Sequence, residues 1–209
     1  MIEDVLLKTA VEQFGQLGLD GASTRAIAQA AGTAMSSITY HYGGKEGLYL
    51  AAVDYIVQQM RERIAPVLAT MPQPGEPISP QEAQDCAARL IEAMARIMIG
   101  EHSACHAAFI VREQLQPTAA FERLYSGIMG EIIELLTRLA GAATGIDDPV
   151  ELRLIAMSMA GQALSLRSAR AAVHKALGVS EIGPDEQERI CLRIRRNIQA
   201  ILTAARNEP

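Results

Sequence analysis

From Thr24 to Lys45 the chain carries Thr24, Arg25, Thr33, Ser36, Ser37, Thr39, Tyr40, His41 and Lys45, and no carboxylate. Hydroxyls, one imidazole and two cations without an acid suit contact with a polyanion. Cations and free helix N–H groups grip phosphate, and short hydroxyls reach base edges. Thr24 and Arg25 fall at a predicted helix start, as does Lys45, where orphan N–H groups and the helix dipole favour an anion. Ser36, Ser37 and Thr39 are short enough to let a helix sit deep in a groove, and a Thr methyl can also meet thymine. Tyr40 and His41 end that helix, with polar tips in reach of backbone phosphates. Taken singly, each hydroxyl is equally well read as an ordinary cap or a solvated residue, and His41 as a packing residue. Tyr42 reads as core, facing Ile38 and Leu48.

These residues need elements to hold them. Ile2, Val5, Leu6, Thr9, Ala10, Phe14 and Leu17 recur at helical steps and predict a first helix, ended by Gly18-Leu19-Asp20-Gly21. Ser23 or Thr24 can cap a second, two-turn helix from Thr24 to about Ala31, with Ile27 and Ala31 inward and Ala28 small at the crossing. Gly32 breaks it. A third short helix runs from Ala34 or Met35 to Tyr42, anchored by Ile38. Two short helices joined by a Gly-containing turn behind a longer one make a helix-turn-helix. The third helix is roughly 10 Å long at ~1.5 Å per residue. It matches a major groove about 12 Å wide.

Gly43-Gly44 closes the third helix, and a long fourth one runs from Lys45 to about Thr70. Residues 71–80, MPQPGEPISP, form a loop. Ser79 and Glu82 spell a capping box for a fifth helix over 79–100. Further helices are predicted at 102–115, 118–143, 148–175 and 184–206, with Pro117, Pro149 and Pro184 near their starts. The chain therefore reads as all-α. An N-terminal helix-turn-helix domain, 1–47, is joined by the long helix to a C-terminal helical domain, 48–209.

Bulk properties agree. The 209 residues are 49% apolar and 4% aromatic, with no Trp, a composition for packed helices. Net charge is −5, against nonspecific coating of nucleic acid, yet residues 21–45 alone carry +2 from Arg25 and Lys45. Cys86, Cys105 and Cys191 are odd in number and widely spaced, as reduced thiols in a cytoplasmic protein. No stretch reaches the ~18 apolar residues of a membrane span, and no signal peptide is read.

The order helix, then STRAIAQAAGTAMSSITYHYGGKEGLY (23–49), then a long helix resembles the N-terminal domain of TetR-type transcriptional repressors. The residues that carry the resemblance are Thr24, Ile27, Ala28, Ala31, Gly32, Tyr40, His41, Tyr42, Lys45, Glu46 and Leu48. REQLQPTAAFERLY (112–125) and GQALSLRSARAAVHKALG (161–178) are similar to the CecR-like subgroup. Thr33-Ala34 stands where the family often has Val-Ser, and Thr39 where it often has Tyr. Both differences bear on which bases are read.

The resemblance implies a repressor that binds a palindromic operator in double-stranded DNA as a homodimer and is released by a small-molecule inducer. One such domain reads few base pairs, so two reading helices must lie about 34–36 Å apart or a multiple of that. The last two helices are the expected dimer elements, through Ile190, Ile194, Ile198 and Ile201 on one and Ala156, Ala160 and Ala163 around Gly161 on the other; the stripes are read as shared between their own core and the dimer, with core packing alone as the alternative. An inducer pocket in the C-terminal domain would draw on Met94, Met98, His102, His106, Phe109, Arg112, Tyr125, Met129 and Arg167. Core packing is the alternative for each. His102 and His106, four apart, share a helix face and raise a metal reading whose third ligand would have to be Glu101, Cys105 or something distant; two exposed or hydrogen-bonded histidines are the expected reading, and no metal or cofactor is expected. G-x-S-x-G, P-loop, G-x-G-x-x-G and CxxC patterns are absent, so an enzyme is not expected. The alternative is an all-α small-molecule-binding protein without a DNA-binding role.

Overall fold

The structure is a computed structural model that describes residues 2–100 and 104–207. Among the described residues all regular structure is helical: α1 (Ile2–Gly21), α2 (Thr24–Ala30), α3 (Met35–Tyr42), α4 (Lys45–Leu68), α5 (Pro80–Ile99), α6 (Ala104–Leu115), α7 (Ala119–Leu124), a π turn (Tyr125–Met129), α8 (Gly130–Thr144), α9 (Pro149–Ser168), α10 (Arg170–Leu177) and α11 (Pro184–Arg206). They form two compact units. One comprises Met1–Glu62 and His102–Met129, the other Arg63–Glu101 and Gly130–Pro209.

The first unit is built on Phe14, Ile27, Ile38, Leu48, Ile56, Phe109 and Leu124, all at or below 1% exposure. α1 and α6 pack tightly because Gly15 has no side chain: a Cβ there would lie 3.0 Å from the Cys105 carbonyl oxygen. Gly18 takes φ 75° and breaks the helical path of α1 before its last turn. The carbonyl of Gln16 left free by that break accepts from Arg112 Nη2 at 3.2 Å. The π turn lies on α4. Gly127 passes Val57 so closely that a Cβ would stand 2.6 Å from its Cγ1. Arg61 donates to the Gly127 carbonyl, and Arg123 pairs with Asp54. These contacts interrupt the single helix predicted over 118–143.

The second unit wraps α8, α9 and α11 around α5. Ser79 caps α5 in the predicted box: its Oγ accepts from Glu82 N at 3.3 Å, and the Glu82 carboxylate accepts from Ser79 N at 3.0 Å. Arg167 and Arg170 reach back to donate to the carbonyls of Gly100 and Ile99 at the other end of α5. Between those two arginines, at Ala169, the helix predicted over 148–175 divides into α9 and α10. Glu92 and Arg195 join α5 to α11 by two hydrogen bonds, at 2.6 and 3.0 Å. No described helix is long and apolar enough to cross a membrane.

Candidate functional site

The N-terminal tip follows from local chemistry. Ser23 caps α2, its Oγ accepting from Ala26 N at 3.4 Å. Thr24 and Arg25 therefore form the first turn, with orphan N–H groups around them. Ile27 and Ala28 of α2 and Ile38 of α3 are buried against Leu48. Anchored by that single isoleucine, α3 turns its other sides outward. Gly43, at φ 74°, ends α3 in the left-handed conformation, and its N–H bonds the Thr39 carbonyl. At the next corner Gly47 meets the end of α3 so closely that a Cβ would overlap the Tyr42 carbonyl oxygen. The sequence reading passed over Gly47; only the structure reveals how near that carbonyl comes.

The exposed surface of the tip is polar. Arg25, Ser36, Thr39, Tyr40 and His41 are exposed, while Thr24, Thr33, Ser37 and Lys45 are half-buried. Tyr40 is 85% exposed and its ring meets His41 edge-on at 4.9 Å. So large an exposed ring on a short helix gains nothing from the protein's own core. Lys45 Nζ donates to the Asp20 carbonyl at 3.0 Å, tying the start of α4 to the end of α1. Tyr42 packs against the core, as expected, with its hydroxyl 3.4 Å from the Glu3 carboxylate. Burial, then the Glu3 charge and hydrogen bond, push that hydroxyl's pKa up.

Behind the tip lies a buried polar network that the sequence did not single out. Glu113 is 1% exposed. Its carboxylate accepts from Tyr49 Oη at 2.5 Å, Thr118 N at 3.0 Å and Thr118 Oγ1 at 2.9 Å. Tyr49 is held between Phe14, edge-on at 4.9 Å, and Phe109, stacked at 4.6 Å. α1, α4, α6 and the start of α7 thus meet at one carboxylate. Burial first, and the Glu113 hydrogen bond second, push the Tyr49 hydroxyl far above its usual pKa. One acid in the run FIVREQL looks like any solvated helix charge, so no sequence signal marked it.

The residues read as an inducer pocket divide between the units. His106, Phe109, Arg112, Tyr125 and Met129 belong to the first, and Met94, Met98 and Arg167 to the second. His102 lies outside the described residues. Phe109 is wholly buried on Tyr49, and Arg112 reaches α1, with its Nε buried and lacking a hydrogen-bond partner. His106 meets the Tyr55 ring edge-on at 6.3 Å, and Tyr125 is 44% exposed. Met94 and Met98 are each 8% exposed, in the core of the second unit. Among the described residues no three His, Cys, Asp or Glu side chains come together as metal ligands.

The expected dimer elements are divided between core and surface: on α11, Ile190 and Ile201 are half-buried. Ala156, Ala160 and Ala163 are buried in their own unit, as are Ile194 and Ile198. The outward face of α9 is instead Val150, Leu154 and Met157, each at least half exposed, followed by Gly161 and half-buried Leu164.

Comparison with known proteins agrees with this architecture. Residues 6–52 match the family described as bacterial regulatory proteins, tetR family. Residues 83–205 match the C-terminal domain of the HTH-type transcriptional dual regulator CecR. The CecR protein of Shigella flexneri is 29% identical over 204 residues, covering 94% of this chain and 89% of that protein. The crystal structure of AibR in complex with isovaleryl coenzyme A and operator DNA superposes with a TM-score of 0.67 at 15% identity, over 93% of this chain and 96% of that one. A transcriptional regulator from Rhodococcus sp. Rha1 gives 0.65 at 20% identity, over the whole of both chains. These relatives are transcriptional regulators, not enzymes. With an N-terminal helix-turn-helix and a C-terminal domain matched in this order, the chain belongs to the TetR family of bacterial regulatory proteins and carries the C-terminal domain of its CecR-type members.

Proposed function

We propose that the protein is a cytoplasmic repressor that binds a palindromic operator as a homodimer and leaves it when a small molecule binds. In this reading residues 1–47 are the DNA-binding domain and 48–209 the ligand-binding and dimerisation domain. The observation that carries it is the tip: an acid-free helix, α3, held by one buried isoleucine and presenting Ser36, Thr39 and Tyr40 to solvent. Ser36, Ser37 and Thr39 face the base edges. Arg25, Thr33, Tyr40, His41 and the first turns of α2 and α4, with Thr24 and Lys45, hold the phosphates.

Dimerisation runs through α9 and α11, and the exposed apolar face of α9 supports it. Release follows from linkage. A ligand that prefers a dimer with mis-spaced reading helices lowers operator affinity by the same factor as the operator lowers ligand affinity. That AibR is seen with both isovaleryl coenzyme A and operator DNA supports DNA binding and a small-molecule ligand in a protein of this fold.

The test is binding to the DNA upstream of the chain's own gene, measured by gel shift or anisotropy across a salt series. Tight, strongly salt-dependent binding to one segment, weakened there by Thr39→Ala, is expected. Equal binding to that segment and to random DNA would overturn the reading.

A further inference from the structure

We propose that Met35 is a specificity-determining residue that reads the 5-methyl group of a thymine in the major groove, an inference that rests on the operator-binding reading above and adds to it the identity of one base pair in each half-site.

Met35 is the first residue of α3 and is 53% exposed. The buried residue of α3 is Ile38. Ala31 and Tyr42, on either side in sequence, pack against the core that Ile38 enters, and Met35 stays outside that set. Its side chain therefore does little for the fold. Nothing at the helix end covers it. Ala34, the N-cap, is exposed and makes no side-chain cap bond. Side chains on an α-helix tilt toward its N-terminus. Met35 thus projects off the free end of α3, ahead of Ser36, Thr39 and Tyr40. In a helix-turn-helix, that end of the reading helix is the one whose residues meet base edges.

The chemistry of a thioether narrows the partner. Methionine has no donor, and its sulfur is a weak acceptor. It offers nothing to a phosphate, and it cannot choose a base by hydrogen bonding. In the major groove the thymine methyl is the apolar group on a base edge. Contact removes apolar surface from water on both sides. Cytosine carries hydrogen in place of that methyl and forfeits the contact. A purine at the same point presents N7 and a second polar group, which the thioether would dehydrate without pairing. Thr39 stands one turn further on, at i+4, on the same side of α3 and exposed. Its own methyl extends the apolar flank that Met35 begins. Ser36 and Tyr40, two positions before and after Ile38, make the polar side opposite the anchor. The unbranched Met side chain adapts its shape to the methyl it meets.

The test uses the full chain and the upstream segment it binds, with affinity measured by anisotropy. Each thymine of the half-site is replaced in turn by deoxyuridine, in both half-sites. This removes the methyl and leaves every hydrogen-bonding group in place. At one position the replacement is expected to weaken the wild-type chain about fourfold per half-site, the worth of one buried methyl group, and about fifteenfold for the pair. Met35→Ala withdraws the thioether. It is expected to weaken binding to the thymine operator by a similar factor and to bind the two forms of that position within about twofold of each other. Met35→Leu is expected to keep most of the discrimination, and Thr39→Ala to keep it at that position. If no thymine is sensitive in the wild-type chain, or if Met35→Ala keeps the wild-type sensitivity at every thymine, the assignment is overturned. Operator binding still stands in that case, because preference for the segment over random DNA is measured in the same series. A chain that binds the segment no better than random DNA overturns both.

Discussion

Replacing Glu113 by Ala tests the network that joins the helix-turn-helix to the rest of its unit. Three donor groups lose their acceptor: Tyr49 Oη, Thr118 N and Thr118 Oγ1. Tyr49 is 2% exposed and enclosed by two phenyl rings, so its hydroxyl has no route to water. An unmet buried donor costs about 1–3 kcal/mol. Counting Tyr49 near the upper end, and part-buried Thr118 near the lower, gives about 3–5 kcal/mol in total. Tyr49→Phe alone removes one donor and leaves two, for about 1–2 kcal/mol. In the Glu113→Ala background the same change removes an orphan and costs little, so a coupling of about 1–2 kcal/mol is expected from the double-mutant cycle. With no Trp in the chain, urea unfolding followed by circular dichroism is the assay. Additivity within ~0.5 kcal/mol would refute the reasoning, because independent sites show that and shared networks do not.

Three further outcomes are expected. Gly47→Ala drives a methyl into the Tyr42 carbonyl and displaces the end of α3, so operator binding falls at least tenfold while helical content measured by circular dichroism is kept. Arg25→Ala removes one phosphate contact per subunit, two per dimer, and flattens the slope of log K against log salt by about 1.8, whereas Thr39→Ala costs about 1–3 kcal/mol at the right operator only and leaves the slope alone. Alkali destabilises the protein through Tyr49. Its folded pKa is raised above the unfolded value, so its contribution is full below ~10 and is lost as pH climbs beyond it, and the fall in urea midpoint above pH ~10 is shallower in Tyr49→Phe.

Local chemistry predicted the parts that local chemistry controls. The capping box at Ser79, the first-turn prolines at 149 and 184, and the Gly43 stop of α3 each depend on neighbours within four residues. What the sequence hid is tertiary. The division of α9 from α10 at Ala169 carries no Gly or Pro; it lies where Arg167 and Arg170 reach for the last carbonyls of α5. The π turn accompanies the close approach of Gly127 to Val57, two residues 70 positions apart. The alanines of α9 have the small size that a helix crossing needs, and they use it inside their own unit, which periodicity alone does not distinguish from an outer interface. For the tip, motif spacing carried both elements and residues. Ile38, the expected inward anchor, is buried, and of the hydroxyls opposite it Ser36, Thr39 and Tyr40 are exposed and Ser37 half-buried.

The central claim is that two copies of the α3 tip are presented together at groove spacing. Footprinting of the upstream DNA, with the mass of the complex measured on the same fragment, tests it most directly. The account predicts an even number of chains per site, and two protected half-sites on one face of the duplex with centres about 34–36 Å apart or a multiple of that. Protection of a single half-site by one chain would contradict it.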